Sequence, residues 1–82
     1  MDKSEWSIAE RVRAVRKDRG WSQIELGRRA DVHPMLISRL EKRHKKEING
    51  ITLRKLAKAL RVSSDYLLGL KEEMESMIAS AA

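Results

Sequence analysis

The sequence predicts an all-α domain of five short helices, and three observations lead to this prediction. Apolar residues recur three or four positions apart in successive stretches of the chain, which is the spacing that places them on one face of a helix. Residues that favour helix starts precede these stretches, and residues that favour turns follow most of them. No stretch alternates apolar and polar residues for long enough to be a strand.

The first helix is expected to begin after Ser7 and to end at Gly20. A serine followed three residues later by a glutamate, here Glu10, can satisfy two amide groups at a helix start, a pattern called a capping box. Glycine ends a helix readily because it adopts the left-handed backbone conformation at little cost. The apolar face consists of Ile8, Val12 and Val15, and the arginine and lysine residues are expected on the other faces.

The second helix is expected to begin at Gln23 and to be interrupted at Asp31. Ser22 and Glu25 repeat the spacing of the capping box. The inner face of this helix carries Leu26 and Ala30, which lie four residues apart.

The third helix is expected to begin at Pro34, because proline suits the first helical position, and His33 is its expected cap. Ile37 and Leu40 form its buried pair. A run of basic residues occupies positions 42–46, and the helix is expected to end after this run.

The last two helices are separated by a turn at residues 61–63. Residues 47–50 are expected to form a loop, and Thr52 is the expected cap of the fourth helix. The apolar stripe of that helix consists of Leu53, Leu56, Ala57 and Leu60. Either Ser63 or Ser64 is expected to cap the fifth helix. The fifth helix carries Tyr66, Leu67 and Leu68 and closes at Gly69.

One folded domain is expected at residues 7–70, with an N-terminal arm at residues 1–6 and a C-terminal extension at residues 71–82. The arm is polar apart from Trp6. The extension could form a further helix or a dimer seam, because Met74, Met77 and Ile78 share one side.

Composition excludes several classes of function. A chain of 82 residues has a thin core with little room for a deep substrate pocket. The chain contains no cysteine, so a disulfide framework and a cysteine-based zinc site are excluded, and neither a metal nor a cofactor is expected. No apolar run approaches the roughly 18 residues of a membrane span, and the N-terminus lacks the apolar stretch of a signal peptide. We therefore expect a cytoplasmic protein with no membrane partner.

The charge balance indicates an anionic partner. Lysine and arginine number 18 against 12 aspartates and glutamates, which gives a net charge of +6. Nucleic acid is the commonest anionic partner of a basic domain, and the alternative is a basic surface that is merely solvated. The sequence has no nucleophile motif, no histidine pair at metal-binding spacing and no glycine-rich phosphate loop, so an enzyme is not expected.

Three residues in the second and third helices have the spacing of a helix-turn-helix. Counted from Gln23 as position one, Gly27 is fifth, Asp31 is ninth and Ile37 is fifteenth. A helix that reads the major groove must be held by a second helix. This arrangement requires a small residue where the helices touch, a turn residue that tolerates a positive φ, and a buried aliphatic residue that faces back.

The run from Ser22 to Glu41, SQIELGRRADVHPMLISRLE, resembles the Cro and phage-repressor family of helix-turn-helix proteins, also called XRE-like. The similarity continues through residues 53–60 and 62–68 and covers about residues 7–70. The resemblance implies a five-helix, lambda-repressor-like DNA-binding domain whose third helix is the recognition helix. The chain departs from the family pattern at Gly27, Asp31 and His33, where the family usually has alanine, glycine, and serine or threonine.

Four residues of the third helix are expected to contact DNA bases. Arg39 lies opposite the buried pair, and the matching family position often contacts a base edge, where an arginine can pair with guanine through two hydrogen bonds. Pro34 and Met35 match base-proximal positions and offer apolar contact, for instance to a thymine methyl group. Ser38 could meet a base or a phosphate. The alternative for these residues is a phosphate contact or an exposed surface position.

Six further residues are expected to contact DNA phosphates. The resemblance assigns Gln23, at the start of the second helix, to a phosphate, and a helix N-terminus attracts anions. Charge alone assigns Arg28, Arg43, His44, Lys45 and Lys46, and the alternative for the last four is a solvated basic loop. The resemblance also implies a structural salt bridge between Arg16 and Glu41 that holds the first helix against the third.

These features lead to a sequence-specific regulator of transcription, expected to be a repressor, that binds an inverted repeat in double-stranded DNA as a homodimer. The recognition helices of such a dimer lie about 34 Å apart. The resemblance also admits a restriction-modification controller, an antitoxin that binds a toxin protein and its own promoter, or an interaction module without DNA. It implies a bacterial or phage-encoded protein of the nucleoid, and a further protein partner is left open.

Overall fold

The computed structural model of the chain describes residues 6–42 and 48–70, and these residues form five helices and no strand. The helices are α1 (Ile8–Asp18), α2 (Gln23–Ala30), α3 (Pro34–Lys42), α4 (Gly50–Leu60) and α5 (Ser64–Leu67). The predicted all-α fold of five helices is confirmed. No helix within the described residues has the length and apolar character needed to cross a membrane.

The start of α1 follows the capping-box prediction. The amide of Glu10 donates to Ser7 Oγ at 3.4 Å, and the amide of Ser7 donates to Glu10 Oε1 at 3.1 Å. Gly20 follows the helix with a φ of 75°, which confirms the expected glycine stop.

The start of α2 shows only half of the predicted capping box. The amide of Glu25 donates to Ser22 Oγ at 3.0 Å, as expected. The carboxylate of Glu25 instead accepts hydrogen bonds from Arg28 Nη2 and Arg29 Nε, both at 2.6 Å. The prediction of a second complete box is therefore wrong, because two arginines in the following turn bind the same carboxylate.

The cap of α4 also differs from the prediction. Asn49, not Thr52, caps this helix, and the amide of Thr52 is the donor to Asn49 Oδ1 at 2.8 Å. The helix consequently begins at Gly50, inside the expected loop at residues 47–50. Asparagine is the better cap of the two, so local preference already favoured Asn49 over Thr52. At α5 the structure selects Ser63, whose Oγ accepts from the Tyr66 amide at 3.0 Å.

The core lies where α1, α2, α4 and α5 converge beneath α3. Its buried members include most of the apolar residues predicted for the five helices. Leu53, predicted for the stripe of α4, is only partly buried and packs against the core with Trp21, Ile48 and Ala59, and Leu68 of the predicted fifth helix is exposed. The fully buried aliphatic residues larger than alanine are Val12, Val15, Leu26, Ile37, Leu56, Leu60, Val62 and Leu67. The expectation that Trp21 covers the edge of the core is confirmed.

Two arginines of α1 are buried, and Arg11 is the one that was expected on an outer face, since Arg16 was expected in a salt bridge. Arg11 is fully buried, and its guanidinium carbon lies 5.0 Å from the centre of the Tyr66 ring. A cation over an aromatic face is stabilised by the ring quadrupole. Arg11 therefore joins α1 to α5, and the expectation for this residue was wrong.

Several sequence-based expectations lie outside the described residues. These are the phosphate contacts of Arg43, His44, Lys45 and Lys46, the possible helix or dimer seam of residues 71–82, and the first five residues of the arm.

Candidate nucleic-acid interface

The turn between α2 and α3 has the backbone geometry that a helix-turn-helix requires. Asp31 ends α2 in the left-handed conformation, with φ 57° and ψ 48°, and its amide donates to the carbonyl of Gly27. The Val32 amide donates to the same carbonyl at 2.9 Å. Aspartate is among the few residues other than glycine that enter this region, so the prediction for Asp31 is confirmed.

Gly27 of α2 lies against the turn and the first residue of α3. A Cβ atom at this position would lie 2.6 Å from the carbonyl oxygen of Val32 and 3.1 Å from Cγ of Pro34. Carbon atoms do not approach a backbone oxygen this closely without displacement. The predicted need for a small residue at the contact of the two helices is therefore confirmed, and here only glycine fits without movement.

An imidazole caps the N-terminus of α3. The amide of Met35 donates to Nδ1 of His33 at 3.1 Å, and the amide of Leu36 donates to the His33 carbonyl at 2.9 Å. Pro34 occupies the first helical position, where no amide donor is needed. The expected cap and the expected first residue of α3 are both present.

The C-terminal end of α3 is fixed by a buried ion pair. Arg16 Nε donates to Glu41 Oε2 at 2.8 Å, and Arg16 Nη2 donates to Glu41 Oε1 at 2.9 Å. The third nitrogen, Nη1, donates to the carbonyl of Trp21 at 2.7 Å. Gln23 Nε2 adds a hydrogen bond of 3.1 Å to Glu41 Oε1. One carboxylate thus joins α1, the start of α2 and α3.

The outward face of α3 carries one strip of exposed side chains. Ile37, Leu40 and Glu41 are buried against the rest of the molecule. On the opposite side, Met35, Arg39 and Lys42 are exposed and follow one another at i, i+4 and i+7. We call these three residues the α3 strip. Lys42 was missed as a member because it was assigned to the basic run, although its spacing from Arg39 would have revealed it.

The two flanks of the α3 strip differ in chemistry. On one side, Leu36 and Arg39 border a groove of about 200 Å³ between α3 and the start of α4. The floor of this groove is aliphatic and its rim carries Asn49 and Thr52. On the other side lies a polar recess formed by Arg13, Arg16, Gln23, Ser38, Glu41 and Lys42.

The polar recess brings together two of the sequence-predicted residues, Gln23 and Ser38. It also contains the exposed residue Arg13, which the sequence analysis did not select. The start of α2 lies at this recess because Gln23 is the first residue of that helix. Three cations line the recess, of which Arg16 is paired with Glu41. Arg13 and Lys42, the start of a helix and the Ser38 hydroxyl group therefore surround a space that suits an anion.

Arg28 lies apart from this recess. It borders a groove beside the turn, together with Ile24, Asp31, His33 and Pro34. Its Nη2 is 2.6 Å from Glu25 Oε2, and its side chain is 68% exposed. The hydrogen bond from Arg28 lowers the pKa of Glu25 below its ordinary value, and the same contact raises the pKa of Arg28.

The aromatic ring of Trp21 packs against Arg29, the second arginine that binds Glu25. The guanidinium carbon of Arg29 lies 4.3 Å from the centre of the Trp21 ring, and Arg29 Nε also binds Glu25. These contacts hold the basic side of α2 in place. Within residues 6–42 and 48–70, no cluster of three or more histidine, aspartate or glutamate residues could hold a metal ion.

The geometry of this interface is shared with proteins of known structure. A family model described as helix-turn-helix (HTH_3) matches residues 12–67. One matching structure is the crystal structure of the P22 c2 repressor protein in complex with synthetic operator 9T in the presence of Tl+. The repressor in that structure is 40% identical in sequence to this chain. That match covers 76% of this chain and 92% of the other, with a TM-score of 0.67.

A second solved structure gives the same relationship. The solution structure of the DNA-binding domain of the P22 c2 repressor (1-76) is 39% identical, and the match covers 84% of this chain and 87% of the other with a TM-score of 0.71. No curated protein sequence matches the chain significantly. Both matched proteins are about 40% identical in sequence to this chain over most of its length.

Proposed function

The chain belongs to the helix-turn-helix family, and from this membership we propose that it is a transcriptional repressor that binds double-stranded DNA with sequence specificity. The observation that carries the proposal is the α3 strip on a helix whose C-terminal end is tied to α1 by the Arg16–Glu41 pair. Such a helix fits a major groove about 12 Å wide. The similarity to a repressor whose crystal structure contains a synthetic operator supports the same function.

Base recognition is assigned to the N-terminal and central parts of α3. Arg39 is exposed and can donate two parallel hydrogen bonds to O6 and N7 of a guanine. Met35 is 54% exposed and, with Pro34 beside it, offers an apolar surface to a thymine methyl group. Ser38 lies at the edge of the polar recess, a position that favours a phosphate over a base.

Phosphate binding is assigned to the polar recess. Arg13 and Lys42 supply positive charge, and the amides at the start of α2 supply donors beside Gln23. Gln23 donates one amide hydrogen to Glu41, and its second amide hydrogen stays available for a phosphate oxygen. Charge alone assigns Arg28, Arg43, His44, Lys45 and Lys46 to phosphates as well.

The repressor is proposed to act as a homodimer on an inverted repeat. One domain of this size contacts a short half-site, and joining two half-sites raises affinity through effective concentration. The two α3 helices would enter major-groove segments about 34 Å apart on one side of the duplex. Occupation of a promoter by the dimer would exclude RNA polymerase.

The test is selection of bound duplexes from a random library at about physiological salt, because phosphate contacts alone give binding that falls steeply as salt rises. The wild type, Arg39→Ala and Lys58→Ala are compared. Lys58 is an exposed cation of α4, so Lys58→Ala removes the same charge as Arg39→Ala and serves as its control. Enrichment of a palindrome that relaxes at one symmetric position only in Arg39→Ala would support the proposal. Failure of the wild type to enrich any sequence would overturn it.

A further inference from the structure

We propose that Lys55 is a positioning residue for DNA recognition, because it fixes the turn from which α3 begins. This inference rests on the proposed DNA-binding function. Lys55 lies on α4 and contacts the turn through its ammonium group. It does so at Asp31, the position where this chain departs from the glycine usual in the family.

The ammonium group of Lys55 contacts two acceptors of Asp31. Lys55 Nζ donates to the backbone carbonyl of Asp31 at 3.2 Å and lies 3.5 Å from the carboxylate oxygen Oδ2. The Lys55 side chain is 42% exposed, whereas that of Asp31 is 96% exposed. Both contacts lie at the surface of the molecule, and the positive charge of Lys55 strengthens the hydrogen bond to the carbonyl.

The turn needs such support because Asp31 holds a left-handed conformation that glycine would adopt without strain. Like other carbonyls at the end of a helix, the carbonyl of Asp31 has no hydrogen-bond partner within α2 and needs one elsewhere. Lys55 supplies that partner and restricts rotation of the peptide that leads into α3. A glycine at this position would lack the strain, although its carbonyl would still accept from Lys55.

The position of α4 explains why this contact affects α3. The helix α3 packs against α2 and α1, whereas α4 packs chiefly against α2 and α5. At its C-terminal end α3 is tied to α1 through Glu41 and Arg16. Through Lys55, α4 contacts the turn that leads into the N-terminal end of α3. The direction of α3 is then determined at both ends, and the α3 strip meets DNA in one orientation.

The first part of the test needs no DNA. Lys55→Met is compared with Lys58→Met, which removes the same charge from an exposed position on the same helix. The readout is hydrogen exchange of the Val32 and Leu36 amides, whose hydrogen bonds to Gly27 and His33 define the turn. We expect exchange at both amides to be roughly two- to five-fold faster in Lys55→Met only. Unchanged exchange in Lys55→Met would overturn the proposal.

The second part separates positioning from a direct phosphate contact. For Lys55→Met we expect the ratio of specific to non-specific DNA affinity to fall roughly two- to five-fold, with the salt dependence unchanged and with recovery in Lys55→Arg. A uniform loss on all duplexes, with a salt slope reduced by about 0.9, would identify Lys55 as a phosphate contact and overturn the proposal.

A third comparison uses the turn itself. In the Asp31→Gly background the strain and the carboxylate are absent while the carbonyl that accepts from Lys55 remains, so the Lys55→Met substitution is expected to lower discrimination less than it does in the wild type. An equal loss in both backgrounds would contradict coupling between the two residues. If the wild type binds no sequence selectively, the proposed DNA function fails, while the exchange rates still decide whether Lys55 holds the turn.

Discussion

Arg16 and Glu41 form an ion pair with two parallel hydrogen bonds, of 2.8 and 2.9 Å, that ties α1 to α3. Both side chains are almost enclosed, with 10% of Arg16 and 4% of Glu41 exposed. Every hydrogen-bonding nitrogen of the guanidinium group has a partner, since the third one donates to the Trp21 carbonyl. The pair therefore orients α3 and also satisfies a charge that the fold has removed from water.

Removal of one partner is expected to destabilise the fold strongly. Arg16→Met leaves the Glu41 carboxylate buried without its counter-charge, a change that typically costs about 3–5 kcal/mol. The double substitution Arg16→Met with Glu41→Leu removes both charges and should recover most of that loss. Urea unfolding measures the free energy of unfolding for each variant.

Arg28→Met provides the matched control for that experiment, because its pair with Glu25 is exposed. We expect this substitution to change the free energy of unfolding much less than Arg16→Met does, because an exposed ion pair contributes little. A cost for Arg16→Met no larger than that of the control would contradict the structural role given to the buried pair.

Gly27→Ala is expected to destabilise the protein although alanine favours helices. The propensity gain is about 1 kcal/mol, but the added Cβ would lie 2.6 Å from the Val32 carbonyl oxygen. Overpacking of this kind costs about 1–3 kcal/mol, and a backbone atom cannot rotate away. We therefore expect a net loss of about 1 kcal/mol in the free energy of unfolding, measured in urea.

Gly50→Ala is the control for this substitution, because no atom lies within 4 Å of a Cβ at Gly50. It should stabilise the protein by about 0.4–1 kcal/mol, since alanine restricts the unfolded chain. Gly27→Ala and Gly50→Ala should thus have opposite signs. Equal stabilisation by both would show that α2 and α3 are not in close contact.

His33 caps α3 through Nδ1 of its imidazole, and its replacement tests that cap. His33→Ala should lower the free energy of unfolding by about 1 kcal/mol, because the Met35 amide loses its acceptor. His33→Ser restores a side-chain acceptor and should match or exceed the wild type. Thermal unfolding followed by circular dichroism compares the three proteins, and equal midpoints for all three would argue against a capping role.

Helix starts were the part of the fold that sequence predicted best. Ser7, Ser22 and Pro34 act within one turn of the chain, so their effects are visible in short stretches of sequence. Asn49 was missed although asparagine is a better cap than threonine, because residues 47–50 were assigned to a loop. Arg11 was misplaced because its burial depends on Tyr66, which lies far along the chain.

The main features of the candidate site could be predicted because they also depend on residues close together in the sequence. The offsets of Gly27 and Asp31 follow from local geometry, and the structure has both features. Lys42 could have been predicted from its spacing to Arg39, since helical periodicity alone places them on one face. The contact of Lys55 with Asp31 could not, because it requires the packing of α4 against α2.

Acid should weaken the contribution of Glu25 to stability. The hydrogen bond from Arg28 lowers the pKa of Glu25 in the folded state, so the unfolded chain binds this proton more readily. The stabilising effect is therefore complete above the ordinary glutamate pKa, about 4.3, and is lost as the pH falls through the lowered pKa. Comparison of the wild type with Glu25→Gln by urea unfolding should give a difference that shrinks below about pH 4. A difference that is constant with pH would contradict the shift.

If the polar recess binds a phosphate, then loss of Arg13 should change the salt dependence of DNA binding, whereas loss of Arg39 from the α3 strip should change the sequence preference. Arg13→Gln should weaken binding to every duplex by the same factor, because a phosphate carries no sequence information. The slope of log affinity against log salt should fall by about 0.9 for the one lost contact. Binding is measured by fluorescence anisotropy at several salt concentrations, on a selected duplex and on an unrelated one.

Lys58→Gln is the control for charge, since it removes one exposed cation from α4. It should leave the salt slope unchanged if only local contacts release counterions. Arg39→Gln should behave in the opposite way to Arg13→Gln, with a larger loss on the selected duplex than on the unrelated one. If Arg13→Gln instead changed the preferred sequence, then the recess would hold a base edge, and the division between reading and anchoring residues would have to be redrawn.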